Sequence, residues 1–172
     1  YAHSLLDVSE YNLYLHYFSR ADSILKLAET YTTDDMYLAR FYETKGLYFY
    51  ELQQYDSALV YFKKGLPLWQ HEEYRLYSYM KIMQVYLDMD SLAQALPYAQ
   101  SIIHNTQNPT FLVNAYYCMM QDANAKNDTK RLSEYSHARA DAEKSLRDYV
   151  SISAETVPKF SEYLSNPYPL RW

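Results

Sequence analysis

Apolar and aromatic positions recur along the chain at three- and four-residue intervals, broken by short polar stretches. That interval gathers them on one face of each of a succession of helices. Four of the breaks resemble one another: SRADSIL (19–25), QQYDSAL (53–59), DSLAQAL (90–96) and NDTKRLS (127–133). Aligned on them, Ile24, Ala58, Ala95 and Leu132 match, at spacings of 34, 37 and 37. Further columns follow: Val8, Tyr42, Tyr79 and Tyr116; Leu15, Phe49, Tyr86 and Ala123; Ala28, Phe62, Ala99 and Ser136. The second and third columns share one face of a first helix, and the first and fourth share one face of a second. Small residues on the second helix let the first approach, and large aromatics fill the remaining space. The pattern predicts four helix–turn–helix units stacked in series.

Polar residues mark the turns: Gln53-Gln54, Asp88-Met89-Asp90 and Asn127-Asp128. Asp56, Asp90 and Asp128 are candidate N-caps of second helices. Pro109 suits a first helical turn with Asn108 as its cap. Leu68–Glu73 reads as a lengthened loop or helix end that widens the spacing to 37. Residues 129–152 predict one long helix closing the array, with Arg139, Asp141, Glu143, Lys144, Arg147 and Asp148 on a solvated face. Pro158 is expected to begin a short helix. NPYPLRW (166–172) then reads as an extended tail whose Tyr168, Leu170 and Trp172 either fold back or meet a partner. The expected division is one helical domain over 1–164 and a tail over 165–172.

The segment ARFYETKGLYFYELQQYDSALVYFKKGL (39–66) resembles a tetratricopeptide repeat. Tyr42, Gly46, Phe49, Tyr55, Ala58, Phe62 and Gly65 occupy that family's pattern positions, with Lys45 in place of the usual Leu and Gly65 in place of the last Ala. The unit at 76–104 is similar through Tyr79, Ile82, Tyr86, Leu92, Ala95 and Ala99, with Met83 where Gly is usual. The first and fourth units match more loosely, and the resemblance spans about residues 5–142. It implies an all-α right-handed superhelix of antiparallel hairpins, about four units plus a long C-terminal capping helix.

Composition agrees with that architecture. Two glycines and six prolines in 172 residues are too few for the turns of a strand-rich chain. The 22 tyrosines suit thin helical layers, where a ring packs while its hydroxyl reaches water or a partner. A net charge of −5 argues against nucleic acid or an anionic membrane as ligand. No apolar run approaches the roughly 18–20 residues that span a bilayer. The chain begins at Tyr1, so loss of a leader or lipid anchor is compatible with it, and no compartment follows: bacterial cytoplasm and extracytoplasmic face both stay open. Cys118, the single cysteine, sits in the apolar run AYYCMM and reads as a buried core thiol.

Chemistry is sparse. Glycine occurs only at 46 and 65, which excludes a phosphate-cradling loop. His71-Glu72 starts an HExxH-like string, but Arg75 stands where the second histidine belongs. Asp34-Asp35 and Glu72-Glu73 read as charges at helix starts or in loops. The expectation is a non-enzyme that needs no cofactor or metal.

Function then rests on the surface. In tetratricopeptide proteins peptides lie in the groove lined by the first helices. The resemblance implies groove positions at Leu13, His16, Arg40, Glu43, Leu47, Tyr50, Tyr77, Met80, Gln84, Tyr117, Gln121 and Asn124. The Lys/Arg/Asn clamp of chaperone-tail receptors is missing, since Glu43, Leu47, Met80 and Gln84 stand at its positions. The reading is a protein- or peptide-binding scaffold. The alternatives are the sensing or regulatory region of a larger bacterial signalling protein or lipoprotein, and a small-molecule or glycan binder.

Overall fold

A computed structural model describes residues 2–32 and 34–156, with side chains as far as Asp148. The short helix expected from Pro158 and the aromatic tail lie outside the described residues. Within them the chain is all-helical: α1 (Ala2–Tyr14), α2 (Phe18–Glu29), α3 (Asp35–Glu51), α4 (Tyr55–Gly65), α5 (Glu72–Asp88), α6 (Leu92–Asn105), α7 (Pro109–Ala125) and α8 (Thr129–Thr156). A 3-10 turn, Leu66–Leu68, follows α4. Every helix packs on its sequence neighbour, and α1 also packs on α3 and α5 on α7. None of these helices is long and apolar enough to cross a membrane.

The turns set the repeat length. His16, Gln53, Asp90 and Asn127 all have φ between 53 and 58°, and they follow one another at 37-residue intervals. Each closes the same pair of backbone bonds. Gln53 N–H reaches Tyr50 O at 2.8 Å and Gln54 N–H reaches Phe49 O at 2.9 Å, and the other three turns repeat this. That is the Schellman arrangement, which satisfies the last carbonyls of a first helix and reverses the chain into a second. None of the four is glycine, so each accepts some left-handed strain.

This uniform interval corrects the alignment of the first unit. The sequence match paired Asp22-Ser23 with Asp56-Ser57, but the packing places the first unit three residues earlier. Val8 is 48% exposed and Leu15 37%, whereas Asn12, Ala21 and Leu25 are buried. The true equivalents of Ala58 and Ala95 and of Phe62 and Ala99 are therefore Ala21 and Leu25. The misleading cue was a polar Asp-Ser pair on an exposed face, which packing does not constrain. The spacing is 37 throughout, so the 66–71 connection does not lengthen one unit.

Caps follow the sequence in part. Asp34 accepts from Tyr37 N–H at 3.0 Å, Asn108 from Thr110 N–H at 3.0 Å, and Asp128 from Arg131 N–H at 3.0 Å. Asp90, in contrast, is the left-handed turn residue, and Asp56 lies inside the first turn of α4. There its charge favours the helix dipole without capping.

Between the two helices of a hairpin, volume is exchanged in pairs. A methyl group on Gly46 would sit 2.6 Å from the Phe62 ring. At the equivalent pair of the next unit, Met83 and Ala99 share one buried cluster. Large faces small in both, with the large residue on opposite helices. A second-helix tyrosine adds a clamp. Tyr61 lies between Tyr42 (6.2 Å) and Phe49 (5.2 Å, 7° between planes). Tyr98 repeats this between Tyr79 (5.7 Å) and Tyr86 (6.1 Å), and Tyr135 stacks on Tyr116 at 6.4 Å. Each buried cluster spans two adjacent units, as in a chain stabilised by nearest-neighbour contacts. Arg139 departs from the solvated face assigned to it: its guanidinium lies 5.2 Å from the Tyr117 ring centroid.

The pairing is testable by a mutant cycle. Gly46→Met should cost about 1–3 kcal/mol by overpacking, and Phe62→Ala about 3–5 kcal/mol by leaving a cavity. The double variant, which rebuilds the Met/Ala pair of the next unit, should be clearly more stable than Phe62→Ala in urea unfolding. Additive losses would show that the two positions do not share one volume.

Candidate functional site

The first helices line a cleft. α1 meets α3 and α5 meets α7, but α3 and α5 barely touch, and two adjoining cavities open along the gap. The larger, about 450 Å³, takes His3 and Glu10 from α1, Met36, Tyr37, Arg40, Glu43 and Leu47 from α3, Glu73, Tyr74 and Tyr77 from α5, and Phe111 from α7. Trp69, from the connection after α4, completes it. The smaller, about 220 Å³, is lined by Leu47, Tyr50, Glu51, Phe62, Met80, Lys81, Gln84 and Asn114. Leu47 is common to both, so the two form one trough.

Of the residues expected in a groove, Arg40, Glu43, Leu47, Tyr50, Tyr77, Met80 and Gln84 line these cavities. Five do not. Leu13, the counterpart of Tyr50 at the 37-residue interval, is buried at 4% exposure on a helix that packs closely against both α2 and α3. His16 is the left-handed turn residue, exposed at the end of the hairpin. Tyr117, Gln121 and Asn124 lie on α7 beyond the gap and line neither cavity. Tyr50 has a structural duty as well. Its hydroxyl donates to Asp88 Oδ2 at 2.6 Å, and Gln84 Nε2 donates to Asp88 Oδ1 at 2.9 Å, tying α3 to the end of α5. Burial and that carboxylate push the Tyr50 hydroxyl well above the ordinary tyrosine range.

The charges of the trough are mostly matched. Arg40 Nη2 pairs with Asp7 Oδ1 and lies 3.7 Å from Glu10 Oε1. Glu10 Oε1 also accepts from Thr44 Oγ1 at 2.8 Å, and His3 Nδ1 lies 2.7 Å from Asp7 Oδ2. Lys81 rests over the Tyr77 ring, 4.9 Å from its centroid.

Glu51 and Glu73 enter no ion pair among the described residues but are exposed; among the enclosed charges of the trough Glu43 is the exception. Its Oε1 is enclosed without a hydrogen-bond partner, and no ion pair among the described residues includes it. Burial pushes its carboxyl up to about 7; Lys81 and Arg40 only partly oppose this, and Glu10 adds to it. The indole Nε1 of Trp69 is likewise enclosed and unpartnered, in a side chain only 7% exposed. Buried polar groups are normally satisfied, so two orphans lining one cavity need a reason.

The repeat sharpens the point. Positions equivalent to Glu43 at the 37-residue interval carry Leu6, Met80 and Tyr117, and those equivalent to Trp69 carry Thr32 and Thr106. A carboxylate and an indole stand where the architecture elsewhere uses other residues. Sequence reasoning placed Glu43 but missed Trp69 and Glu10. Trp69 lies in a connection outside the helical columns, and Glu10 enters only in the corrected register. Cys118 is buried as expected, and burial, with a smaller contribution from Asp122, pushes its thiol up to about 11. A thiol so placed is protonated at neutral pH and a poor nucleophile.

Compared with models of known protein families and with curated protein sequences, the chain matches none.

Glu43 makes stability depend on pH. The folded state holds its proton up to about 7, while the unfolded state releases it near 4.5. Stability from this group is therefore complete below about 4.5 and declines as pH rises through 7. At 1.36 kcal/mol per unit, the full loss is about 3 kcal/mol. Glu43→Gln should remove this slope. Urea unfolding at pH 4.5 and pH 8 should show the variant gaining about 2–3 kcal/mol on the native chain between the two. A constant difference would mean that the carboxylate is solvated or paired.

Proposed function

We propose that the chain is a non-catalytic protein- or peptide-binding scaffold. In this reading it is a tetratricopeptide-like right-handed superhelix, and the trough between α3 and α5 is its concave groove. The observation that carries the reading is the origin of the trough: its walls come almost entirely from the first helices α1, α3, α5 and α7. A surface assembled from the same helix of successive units suits an extended ligand that crosses them in turn. Its chemistry suits one too, since aromatic and Met side chains are enriched at interfaces.

A small-molecule or glycan ligand is the second reading. About 450 Å³ lies within the range of ligand pockets, and the walls are aromatic. The rim favours the first. Met36, Tyr74 and Tyr77 are 52%, 49% and 41% exposed, which makes an open trough more than an enclosed pocket. The scaffold reading also accommodates a sensing or regulatory region within a larger protein.

Peptides selected on the native chain from a random display library provide the test. Tyr77→Ala, in the trough, should weaken the selected peptides at least about tenfold, or about 1.4 kcal/mol. Val60→Ala, on an exposed second-helix position outside both cavities, should leave them unchanged. Peptides that ignore Tyr77 but depend on Val60 would place binding on the opposite face.

A further inference from the structure

The larger cavity carries a more specific assignment, which rests on the groove reading above. Its unpaired groups are one acceptor, Glu43 Oε1, and one donor, Trp69 Nε1. Each would find a partner in a ligand that brings a cation and a carbonyl together. The protein's own cations are committed elsewhere: Arg40 to Asp7 and Glu10, Lys81 to the Tyr77 ring. Rings line the same cavity as the acceptor. Trp69 and Tyr74 lie 4.8 Å apart, and Phe111 meets Tyr77 edge-on at 6.4 Å. Glu73 adds a further negative charge to the wall. Such a setting attracts a cation through both its carboxylates and its ring faces.

We propose that this cavity receives the lysine side chain of a peptide partner, with its ammonium on Glu43 among the rings of Trp69, Tyr74 and Phe111, and a peptide carbonyl on the Trp69 indole N–H. An ammonium fits better than a guanidinium, because a point charge needs one free oxygen whereas the planar fork seeks two. The four-carbon stem lies along Met36 and the aromatic walls, where its methylenes are sheltered. A peptide fits better than a free amine, because a lone amine leaves the indole N–H unsatisfied.

The test is a cycle built on peptides selected from a random display library, with the lysine replaced by norleucine and Glu43 by Gln. One lysine should recur at a fixed place in the selected peptides. Norleucine on the native chain and Glu43→Gln with the lysine peptide should each weaken binding at least about tenfold. Combined, they should cost little more than either alone, as for two groups in direct contact. Trp69→Phe, which keeps a ring and removes the N–H, should weaken binding several-fold without abolishing the preference for lysine over norleucine. Peptides that depend on Tyr77 but carry no recurrent lysine, or fully additive losses, overturn this assignment and leave the groove reading standing. Selection of no peptide overturns both. Displacement of the peptide by cadaverine at equal concentration overturns the peptide as source and identifies a free-amine site. The norleucine arm uses the unaltered protein, so the outcome does not depend on whether a variant folds.

Discussion

The space between the two helices of a hairpin is fixed, and the rest of the molecule follows from keeping it filled. Gly46 lets the Phe62 ring occupy that space from the second helix. In the next unit Met83 fills it from the first helix, and Ala99 gives way. The left-handed turns at 37-residue intervals return each second helix to the same register, so the same positions meet again. The second-helix tyrosines Tyr61, Tyr98 and Tyr135 then wedge against the aromatic column of the first helices. This explains the abundance of tyrosine better than a binding role does. A ring packs between helices two layers deep, and its hydroxyl can stay at the surface.

That regularity makes the exceptions informative. α3 and α5 are held apart where their neighbours close, and Glu43 and Trp69 line the gap with buried groups that have no partner. An unsatisfied buried polar group costs about 1–3 kcal/mol. Leucine, methionine or tyrosine at position 43 would avoid the cost, as they do in the other units. Arg139 Nε on α8 is also enclosed without a partner, but only at the gap do two such groups meet in one cavity, and departures from the rule of a repeat are where functional sites are expected. The proposed groove and its lysine pocket give that cost a purpose.

How much of this was legible in the sequence depended on what packing constrains. The all-helical course, the turns and the columns through Tyr42, Phe49, Ala58 and Phe62 were readable, because buried positions at helical spacing leave a pattern. The first unit was misread at Ile24, Val8 and Leu15, because an exposed Asp-Ser pair imitated the later junction and no buried residue enforces it. Seven of the groove positions fell on the trough, since helix face alone decides them. His16 inherited the shifted register, whereas Leu13 keeps the face of Tyr50 on a helix that closes against its neighbours. Tyr117, Gln121 and Asn124 had the right face on a helix where no gap opens, and helix separation leaves no mark in local periodicity. Trp69 was out of reach for the same reason, because its role depends on where a connection lies in space.

The central claim is that the trough between α3 and α5 encloses a carboxyl group whose Oε1 has no hydrogen-bond partner and which enters no ion pair among the described residues. The direct measurement is a carbon-13 NMR titration of the Glu43 side-chain carboxyl in the free protein, assigned through Glu43→Gln. The account predicts a midpoint near pH 7, shifted up by burial from 4.5. A midpoint near the ordinary glutamate value would mean that water or an internal cation already satisfies Glu43, and would contradict it.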